Sequence, residues 1–394
     1  MLPVTIVATA LLALLAFAPF ASAAPDPVAS GSTTVTLNNG WTKYLKTFGI
    51  KIQKVSPAKL KGQKATFKVT GGEMDPTNGL GTLTLGGGLK FKAGKKSATV
   101  KGLVLNTGKS SLEGKIGGKK VKLAKTSGLS FSRAGFGVKV NLKKLQLTNA
   151  AATKLNKALG FAKGKPKPFL KNKLIGKSAS EDQPSAVTLL PTGSLAISLD
   201  SALATKLTNV KTEVQVLTGT TASGTTYTSP VTGGTFSPLG TSGTIISAGG
   251  LKLVQKLPKS ATEFITTEIT LGGIWYDLQA KTLTVEVSAT SNASKELNLG
   301  ALGRSSVADV TIGGVIADPN TRSVAIQNSS AVLQPVSAEV LNGFVKVYAG
   351  YVAEVKKAEG KEAEGKELAA KIAKENEIAS GNILGTVSFS GQSQ

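Results

Sequence analysis

The sequence predicts an all-β protein: two tandem antiparallel β-sandwich or barrel-like domains, each with one or two short helices, and a long charged helix inserted near the C-terminus. Three observations lead to this fold class. One stretch of sequence occurs twice, short runs of alternating apolar and polar residues fill most of the chain, and Gly, Asn, Ser or Lys-Lys turns separate those runs. Short alternating runs between turn residues are typical of antiparallel sandwiches and barrels.

The repeated stretch indicates that one domain is present twice. It reads TGGEMDPTNGLGTLTLGGGLK at residues 70–90 and TGGTFSPLGTSGTIISAGGLK at residues 232–252, a shift of 162. Downstream, the matching positions drift to shifts of 171, 186 and 209, so copy two is copy one with insertions. Copies of this length are domains, because solenoid repeats run about 20 to 50 residues. We predict a first domain over 32–180, a linker over 181–189 and a second domain over 190–390.

The beginning of the chain is predicted to be a secretory signal peptide, residues 1–23. An apolar stretch ends in the small-residue pattern Ala-Ser-Ala at 21–23, after which cleavage is expected. The alternative is an uncleaved membrane anchor. Residues 24–31 are expected to be a short disordered lead-in. No later segment has the roughly 20 continuous apolar residues of a spanning helix, so we expect a secreted or envelope-associated chain whose mature form has no transmembrane segment.

The first copy opens with the alternating run TVTL and then NNGWTKYLKTFG. In this segment Trp41, Tyr44 and Phe48 recur at helical spacing. We predict a short helix that begins after Asn38 or Asn39, with Trp41 and Phe48 facing the core.

Most of residues 65–147 alternate with period two, and runs such as KVKLAK place aliphatic side chains on one face and lysines on the other. Most of these lysines are predicted to lie on solvated outer faces. A second helix is predicted over residues 148–160, capped by Thr148 or Asn149 and stopped by Gly160. A strand near residues 173–177 is expected to close the domain.

The second copy repeats this order with fewer lysines and a large insertion at residues 343–380. Apolar residues recur there at helical spacing, and Glu362–Lys366 and Glu367–Lys371 are oppositely charged pairs one helical turn apart. We predict a charged amphipathic helix that projects from the domain. The alternative is a docking element for a partner.

Positive charge is concentrated in the first copy. Residues 31–180 carry 30 lysines and one arginine against three acidic residues, a net charge of +28, whereas the chain from residue 190 onwards carries 16 basic and 17 acidic residues. A fold does not need this bias, so it indicates an anionic partner. Arginine is scarce, which argues against specific recognition of nucleic acid. The candidate anion-binding residues are Lys115, Lys119, Lys120, Lys122, Lys163, Lys165 and Lys167.

Histidine and cysteine are both absent from the chain. Their absence excludes a Ser-His-Asp triad, a cysteine nucleophile and an ordinary zinc site. Because no other catalytic signature is present, we expect the protein not to be an enzyme.

Several of these features together resemble the actinobacterial HtaA domain. They are the early aromatic segment GWTKYLKTFG, the Gly-Gly and Gly-Leu-Lys core, the helix motif LTNAAATKLN and the terminal Ile-Gly or Leu-Gly strand, and the resemblance covers both copies. It implies a β-sandwich with small helices, export to the cell envelope and capture of haem for iron acquisition. It also implies that Tyr44 is the haem-ligating tyrosine, with Trp41 beside it.

This chain departs from the family pattern in two respects. It has no histidine to support Tyr44, and copy two has Lys206 in place of the tyrosine. Haem binding is therefore expected in the first domain alone, where lysines would favour a phenolate ligand and pair with the haem propionates. The alternative function is a structural or adhesion protein of the envelope, which binds an anionic cell-wall polymer through the lysine-rich first domain.

Overall fold

A computed structural model describes residues 25–161, 166–293 and 298–394. The predicted signal peptide lies outside these residues. The described chain is mostly strand and forms two antiparallel barrel-like sheets with few helices, so the predicted fold class is confirmed. Among the described residues, none of the helices combines the length and apolar composition needed to cross a bilayer.

The first domain is a closed ring of strands with two short helices. Its strands pair in the order β2-β5-β6-β7-β8-β9-β10-β1-β4-β3, and an additional pairing of β4 with β5 closes eight of them into a barrel. The elements are β1 (Asp26–Leu37), α1 (Asn39–Thr47), β2 (Ile50–Val55), β3 (Lys59–Lys61), β4 (Lys64–Met74), β5 (Gly81–Ala93), β6 (Lys96–Asn106), β7 (Ser111–Ile116), β8 (Lys119–Ala134), β9 (Gly137–Leu147), α2 (Asn149–Ala158) and β10 (Leu174–Pro184).

The second domain repeats this ring and adds a helical pair. The strand order is β12-β16-β17-β15-β14-β11-β22-β21-β19-β18, and pairing of β17 with β18 again closes eight strands. The elements are β11 (Val187–Leu199), α3 (Ser201–Asn209), β12 (Thr212–Val216), β13 (Thr221–Ser223), β14 (Thr226–Phe236), β15 (Gly243–Ser247), β16 (Gly250–Pro258), β17 (Phe264–Asp277), β18 (Thr282–Ser291), β19 (Gly300–Thr311), β20 (Gly314–Asp318), β21 (Ser323–Leu333), α4 (Pro335–Ala358), α5 (Glu362–Glu375) and β22 (Ile383–Ser393).

Period-two alternation places the aliphatic residues inside each ring. In β8, for example, Val121 and Leu123 are buried while Lys122 between them is exposed. Successive strand residues point to opposite faces, so one lysine between two aliphatic residues is held in solvent. The lysine excess of the first domain therefore lies mainly outside its barrel.

The lead-in predicted to be disordered is instead part of β1. Asp26 pairs with Met74 of β4, and Val28 pairs with Pro184 of β10. These partners lie far along the chain, so no local pattern in APDPVASG predicts the pairing. Residues 181–184 of the expected linker continue β10, and residues 187–189 begin β11.

The insertion in the second domain is a helical pair rather than one helix. α4 ends at Ala358, and Gly360 then adopts a φ of +78°. This left-handed conformation commonly ends a helix, and glycine adopts it without steric strain because it has no Cβ. α5 packs back on α4, where Lys356 bridges Glu359 at 3.0 Å and Glu364 at 3.4 Å. Phe344 and Val345 of α4 belong to the hydrophobic core of the second domain, and Ile372 of α5 packs against it, so the helical pair lies on its own barrel.

The two domains share buried contacts at their junction. Phe136, in the turn between β8 and β9 of the first domain, is only 6% exposed and belongs to the hydrophobic core of the second. The Asp26 carboxylate accepts hydrogen bonds from the backbone N–H and hydroxyl of Thr188, at 2.9 and 3.1 Å. Arg133 donates to the backbone oxygen of Gln394.

Candidate functional site

The candidate site is organised by α1 of the first domain. The side chain of Asn38 caps this helix by accepting a hydrogen bond from the backbone N–H of Trp41 at 2.9 Å, as predicted. Trp41 and Leu45 are buried beneath the helix, whereas Tyr44 is half-buried on its outer side. The helix thus presents one tyrosine to the surface from a well-anchored base.

Three half-buried aromatic rings form a continuous row at this surface. The ring centroids of Tyr44 and Phe48 are 5.1 Å apart at an interplanar angle of 70°, and those of Phe48 and Phe161 are 5.8 Å apart at 83°. Edge-to-face contacts at these distances are the favoured geometry for aromatic pairs. We call Tyr44, Phe48 and Phe161 the aromatic row.

A clamp made by Asn156 holds the chain segment that borders the row. The Asn156 side chain donates to the carbonyl oxygen of Phe169 at 2.8 Å and accepts from its backbone N–H at 3.2 Å. Tyr44 in turn donates its hydroxyl proton to the carbonyl oxygen of Lys167 at 3.3 Å. Hydrogen bonds therefore hold Lys167 to α1 and Phe169 to α2.

Lysines surround the aromatic row. The ammonium of Lys173 lies 5.8 Å from the centre of the Tyr44 ring. A cavity of about 530 Å³ beside Phe161 is lined by Lys96, Lys157 and Lys167, and its described lining contains no carboxylate. Apolar ring faces next to unpaired cations suit a flat apolar molecule that carries negative charge at its edge.

The residues present can hold haem through a single protein ligand. Tyr44 is partly exposed, and its hydroxyl bonds to one backbone carbonyl rather than being tied into the core. A phenolate is an established type of axial ligand to haem iron. In the part of the chain that the structure describes, there is no cluster of three or more His, Cys, Asp or Glu side chains for a separate metal ion.

Trp41, the second predicted haem-binding residue, lies in the core beneath this surface. Its side chain is 2% exposed and contacts the rings of Phe91 and Phe169 edge-on, at centroid separations of 6.2 and 6.4 Å. Trp41 therefore supports α1 from below and does not reach the aromatic row's outer face.

The predicted anion-binding lysines do not form one patch. Lys167 lies at the aromatic row, whereas Lys115, Lys119, Lys120 and Lys122 lie on the hairpin of β7 and β8. The carbonyl oxygen of Lys122 accepts from Thr148 at the start of α2, and Phe161 follows the end of α2. A helix of this length separates the two patches by about 15 Å. Lys163 and Lys165 lie outside the described residues.

The hairpin lysines continue a row across three strands. Lys101 of β6 pairs with Lys115 of β7, which pairs with Lys120 of β8, and all three are exposed. Lys120 bridges Glu113 at 2.9 Å. We call Lys101, Lys115 and Lys120 the lysine row. Like charges directly opposite each other destabilise a sheet, so the fold itself gains nothing from this arrangement.

The second domain has no aromatic row at the matching positions. Tyr44, Phe48 and Phe161 correspond to Lys206, Val210 and Val347. Lys206 donates to the carbonyl oxygen of Glu377 at 2.6 Å, which places the chain after α5 over this surface. The aromatic row therefore has no counterpart at the matching positions of the second domain.

Tyr44 and Lys167 of this candidate site are predicted from the sequence, whereas Phe161, Lys96, Lys157 and Lys173 are placed beside them by the structure. The sequence gives a reason to consider Phe161, because this aromatic residue begins the lysine-rich run FAKGKPKPFLKNK. It gives no comparable reason to consider Lys96. Lys96 begins β6 and reaches Gly160 only because the sheet brings that turn beneath the end of α2.

The solved structures that this chain resembles include two of the same domain. The crystal structure of the C-terminal domain of HtaA from Corynebacterium glutamicum matches at a TM-score of 0.30 and 11% identity, over 40% of this chain and 98% of that chain. A domain-swapped dimer of a histidine-to-alanine variant of that domain matches at a TM-score of 0.24 and 12% identity, over 36% and 90%. No protein-family model and no curated protein matches. A likeness this low says nothing about a ligand, so the function must be judged from the site's own residues.

Proposed function

We propose that the chain is an exported, non-enzymatic binding protein of the cell envelope, and that its first domain binds haem on the aromatic row. One observation carries the proposal: three aromatic rings in edge-to-face contact, one of them a tyrosine with an accessible hydroxyl, lie among four lysines. When bound, the haem would supply the iron centre, and the chain would supply one phenolate ligand, apolar contact and cations for the propionates.

Each group in the site has a separate task. Phe48 and Phe161 present apolar ring surface to the macrocycle, while Tyr44 lies at one end of the row with its hydroxyl available to iron. Lys96, Lys157 and Lys167 line the adjoining cavity, at the side where carboxylates would lie. Charge-assisted hydrogen bonds of this kind are about twice as strong as neutral ones.

The test is a haem titration of the whole chain, followed by absorbance in the Soret region. The unmodified chain should bind haem saturably. Tyr44→Phe keeps the ring contact with Phe48 but removes the iron ligand, so haem affinity should fall by about tenfold or more. Tyr348→Phe makes the same chemical change in the second domain and should bind haem like the unmodified chain.

A second readout separates ligation from simple hydrophobic adsorption. If Tyr44 is the ligand, the Tyr44→Phe variant should also lose the absorption spectrum of a phenolate-ligated ferric haem at saturating haem. A chain that binds no haem saturably, or a Tyr44→Phe variant with unchanged affinity and spectrum, would refute the proposal.

The lysine row supports a second candidate function, attachment to an anionic polymer of the cell wall. Three exposed lysines in register make a cationic stripe whose spacing follows the strands. Binding of this kind depends on charge neutralisation and weakens steeply as salt rises. The stripe lies away from the aromatic row, so both functions can operate in one domain.

A further inference from the structure

We propose that the second domain has a ligand site of its own, which takes an acyl chain into the interior of its barrel. This inference does not depend on haem binding, because none of its residues belongs to the first domain.

The site begins as an apolar cavity of about 140 Å³ inside the ring of strands. Aliphatic side chains from several strands and two helices line it, among them Leu203, Leu253, Ile269, Val285 and Leu341. An apolar cavity of about 150 Å³ stays dry and binds small apolar molecules. The interior of this barrel therefore has the size and lining to receive the end of a hydrocarbon chain.

In the first domain, aromatic side chains occupy the corresponding space. There, Trp41, Phe91 and Phe169 meet edge-on at centroid separations of 5.4 to 6.4 Å. The cavity beneath them is only about 70 Å³. The matching residues of the second domain are smaller and aliphatic: Leu203, Leu253 and Ile378.

This last correspondence is supported by a shared pair of hydrogen bonds. Asn342 donates to the carbonyl oxygen of Ile378 at 2.7 Å and accepts from its backbone N–H at 2.9 Å, as Asn156 does with Phe169. The two segments therefore occupy the same place in their domains. Loss of three aromatic rings accompanies the doubling of the cavity.

The cavity opens to the outside beside the start of α4. Val336 and Val340 line both the cavity and a groove of about 860 Å³ that follows α4. Val336 is 69% exposed, and Leu302, which also lines the cavity, is 46% exposed. Large apolar side chains are left in solvent at this mouth, where an apolar ligand would cover them.

The groove continues the apolar path and adds a mixed polar rim. Its lining includes Val347, Tyr351 and Val355 on α4, which face Ile265 and Leu299. Charged groups of both signs border it, namely Lys259, Lys346, Glu339 and Glu354. Because neither sign prevails, the rim selects no particular charge, and the hydrocarbon part of the ligand has to supply most of the binding free energy.

One polar group near the mouth indicates an acyl chain rather than a plain hydrocarbon. Ser306 lines the cavity, and its hydroxyl is buried with no hydrogen-bond partner among the described residues. It lies beside the start of α4, where the backbone N–H of Gln334 donates to the carbonyl oxygen of Val307 at 3.2 Å. A carboxyl or ester oxygen at the head of an acyl chain can accept a hydrogen bond from this hydroxyl.

The test uses dansylated undecanoic acid as a fluorescent probe and palmitic acid as its competitor, on the whole chain. The probe should bind saturably with a blue-shifted emission, and palmitic acid should displace it. Transplanting the aromatic residues of the first domain, Leu203→Trp with Leu253→Phe, should fill the cavity and lower probe affinity by about tenfold or more.

A second variant guards against a misfolded core. Val336→Trp changes an exposed side chain at the mouth, so the barrel should fold while entry is blocked. Val216→Trp makes the same change at an exposed position on β12, away from the groove, and serves as the control. Circular dichroism of each variant checks that the fold is kept.

The outcomes separate this site from the aromatic row. Tyr44→Phe should leave probe binding unchanged, and palmitic acid should not displace haem. The inference is overturned if the probe does not bind saturably, if both the cavity-filling variant and Val336→Trp bind it like the unmodified chain, or if Tyr44→Phe weakens it, since the probe would then lie in the first domain.

Discussion

Asn156 and Asn342 perform the same task at the same point of the two domains. Each clamps the backbone of one residue, Phe169 or Ile378, that returns to the barrel after a helix. The repeat alignment predicts that the two asparagines correspond, because both follow a leucine in matching helices. It does not predict the clamp, since the clamped residues follow loops of very different length.

The residues of the aromatic row differ in how well a sequence can reveal them. Tyr44 of α1 and Phe48, the residue that caps the end of this helix, lie four apart, so their contact follows from helical spacing. Phe161 joins them only through the packing of α2 against the barrel. Phe48 was expected in the core, and it is half-buried against the core of the first domain. Contacts between residues so far apart in the chain depend on the closure of the whole sheet.

Asp182 gives the domain junction a pH dependence. This carboxyl is 2% exposed and accepts a hydrogen bond from the backbone N–H of Val138 at 3.1 Å. Its pKa is raised from 3.8 to about 6, chiefly by burial and in smaller part by the nearby Asp26 carboxylate, while the hydrogen bond from Val138 and the charge of Arg133 oppose the rise. The folded chain therefore binds more protons than the unfolded chain between these two values.

It follows that stability should fall as pH rises through this window. A raised carboxyl pKa means that ionisation costs more in the folded state, so the loss begins near the unfolded value and is complete above about pH 6. A shift of this size corresponds to up to about 3 kcal/mol. Asp182→Asn keeps the acceptor oxygen and should raise the free energy of unfolding above pH 7 while flattening its pH dependence.

The measurement is denaturant unfolding at a series of pH values between 4 and 8, which span the expected window. Glu181→Gln, at the exposed neighbouring position, is the matched control. An Asp182→Asn chain that is less stable than the unmodified chain at pH 8, with an unchanged pH slope, would contradict this reading of the junction.

In the β7–β8 hairpin, repulsion between lysines on neighbouring strands opposes the stability of the sheet. Lys115 lies between Lys101 and Lys120, directly opposite both. Lys115→Gln should therefore stabilise the first domain by about 0.2–1 kcal/mol. The same change should weaken binding to an anionic wall polymer and reduce its dependence on salt.

Two readouts test this pair of opposite effects: thermal unfolding for stability, and co-sedimentation with purified anionic polymer at several salt concentrations. Lys144→Gln, at an exposed lysine opposite Ser127, is the control because it relieves no lysine pair. Equal polymer binding by Lys115→Gln and the unmodified chain at every salt concentration would exclude the lysine row as the attachment surface.

The helices show which parts of an element the sequence determines. α2 has the predicted cap, with the Thr148 hydroxyl accepting from the backbone N–H of Ala151 at 3.1 Å, and it ends just before the predicted stop at Gly160. Caps and stops are local, so sequence reasoning found them. The insertion was expected to project as one helix, but Gly360 breaks it, and packing of α5 on α4 follows from tertiary contacts that a periodicity does not contain.

At the scale of the molecule, a turn of the first domain completes the core of the second. Phe136 should therefore stabilise a domain to which it does not belong. We expect Phe136→Ala to lower the stability of the second domain by about 3–5 kcal/mol. Leu129→Ala, at an exposed apolar position earlier in β8, should have little effect and is the control.

The two tryptophans make this measurable, because one lies in each domain, Trp41 in the first and Trp275 in the second. In a Trp41→Phe background, fluorescence reports unfolding of the second domain alone. Phe136→Ala should move that transition to lower denaturant concentration. An unchanged transition would mean that the contact adds no stability across the junction.

The duplication was readable from sequence because both copies keep their turn glycines and inward aliphatic residues at fixed spacing. The ligand of each copy could not be predicted in this way, because it depends on which side chains fill the space between matched elements. Trp41, Phe91 and Phe169 close the first barrel, whereas Leu203, Leu253 and Ile378 leave the second open. Two copies of one fold can thus have different candidate binding sites.

The most direct test of this division is a single haem titration of three whole chains: the unmodified protein, Tyr44→Phe and Leu203→Trp. The unmodified and Leu203→Trp chains should saturate at the same haem concentration, while Tyr44→Phe should need about tenfold more. If Tyr44→Phe saturates together with the unmodified chain, or if only Leu203→Trp loses haem, the aromatic row is not the haem site and the account is wrong.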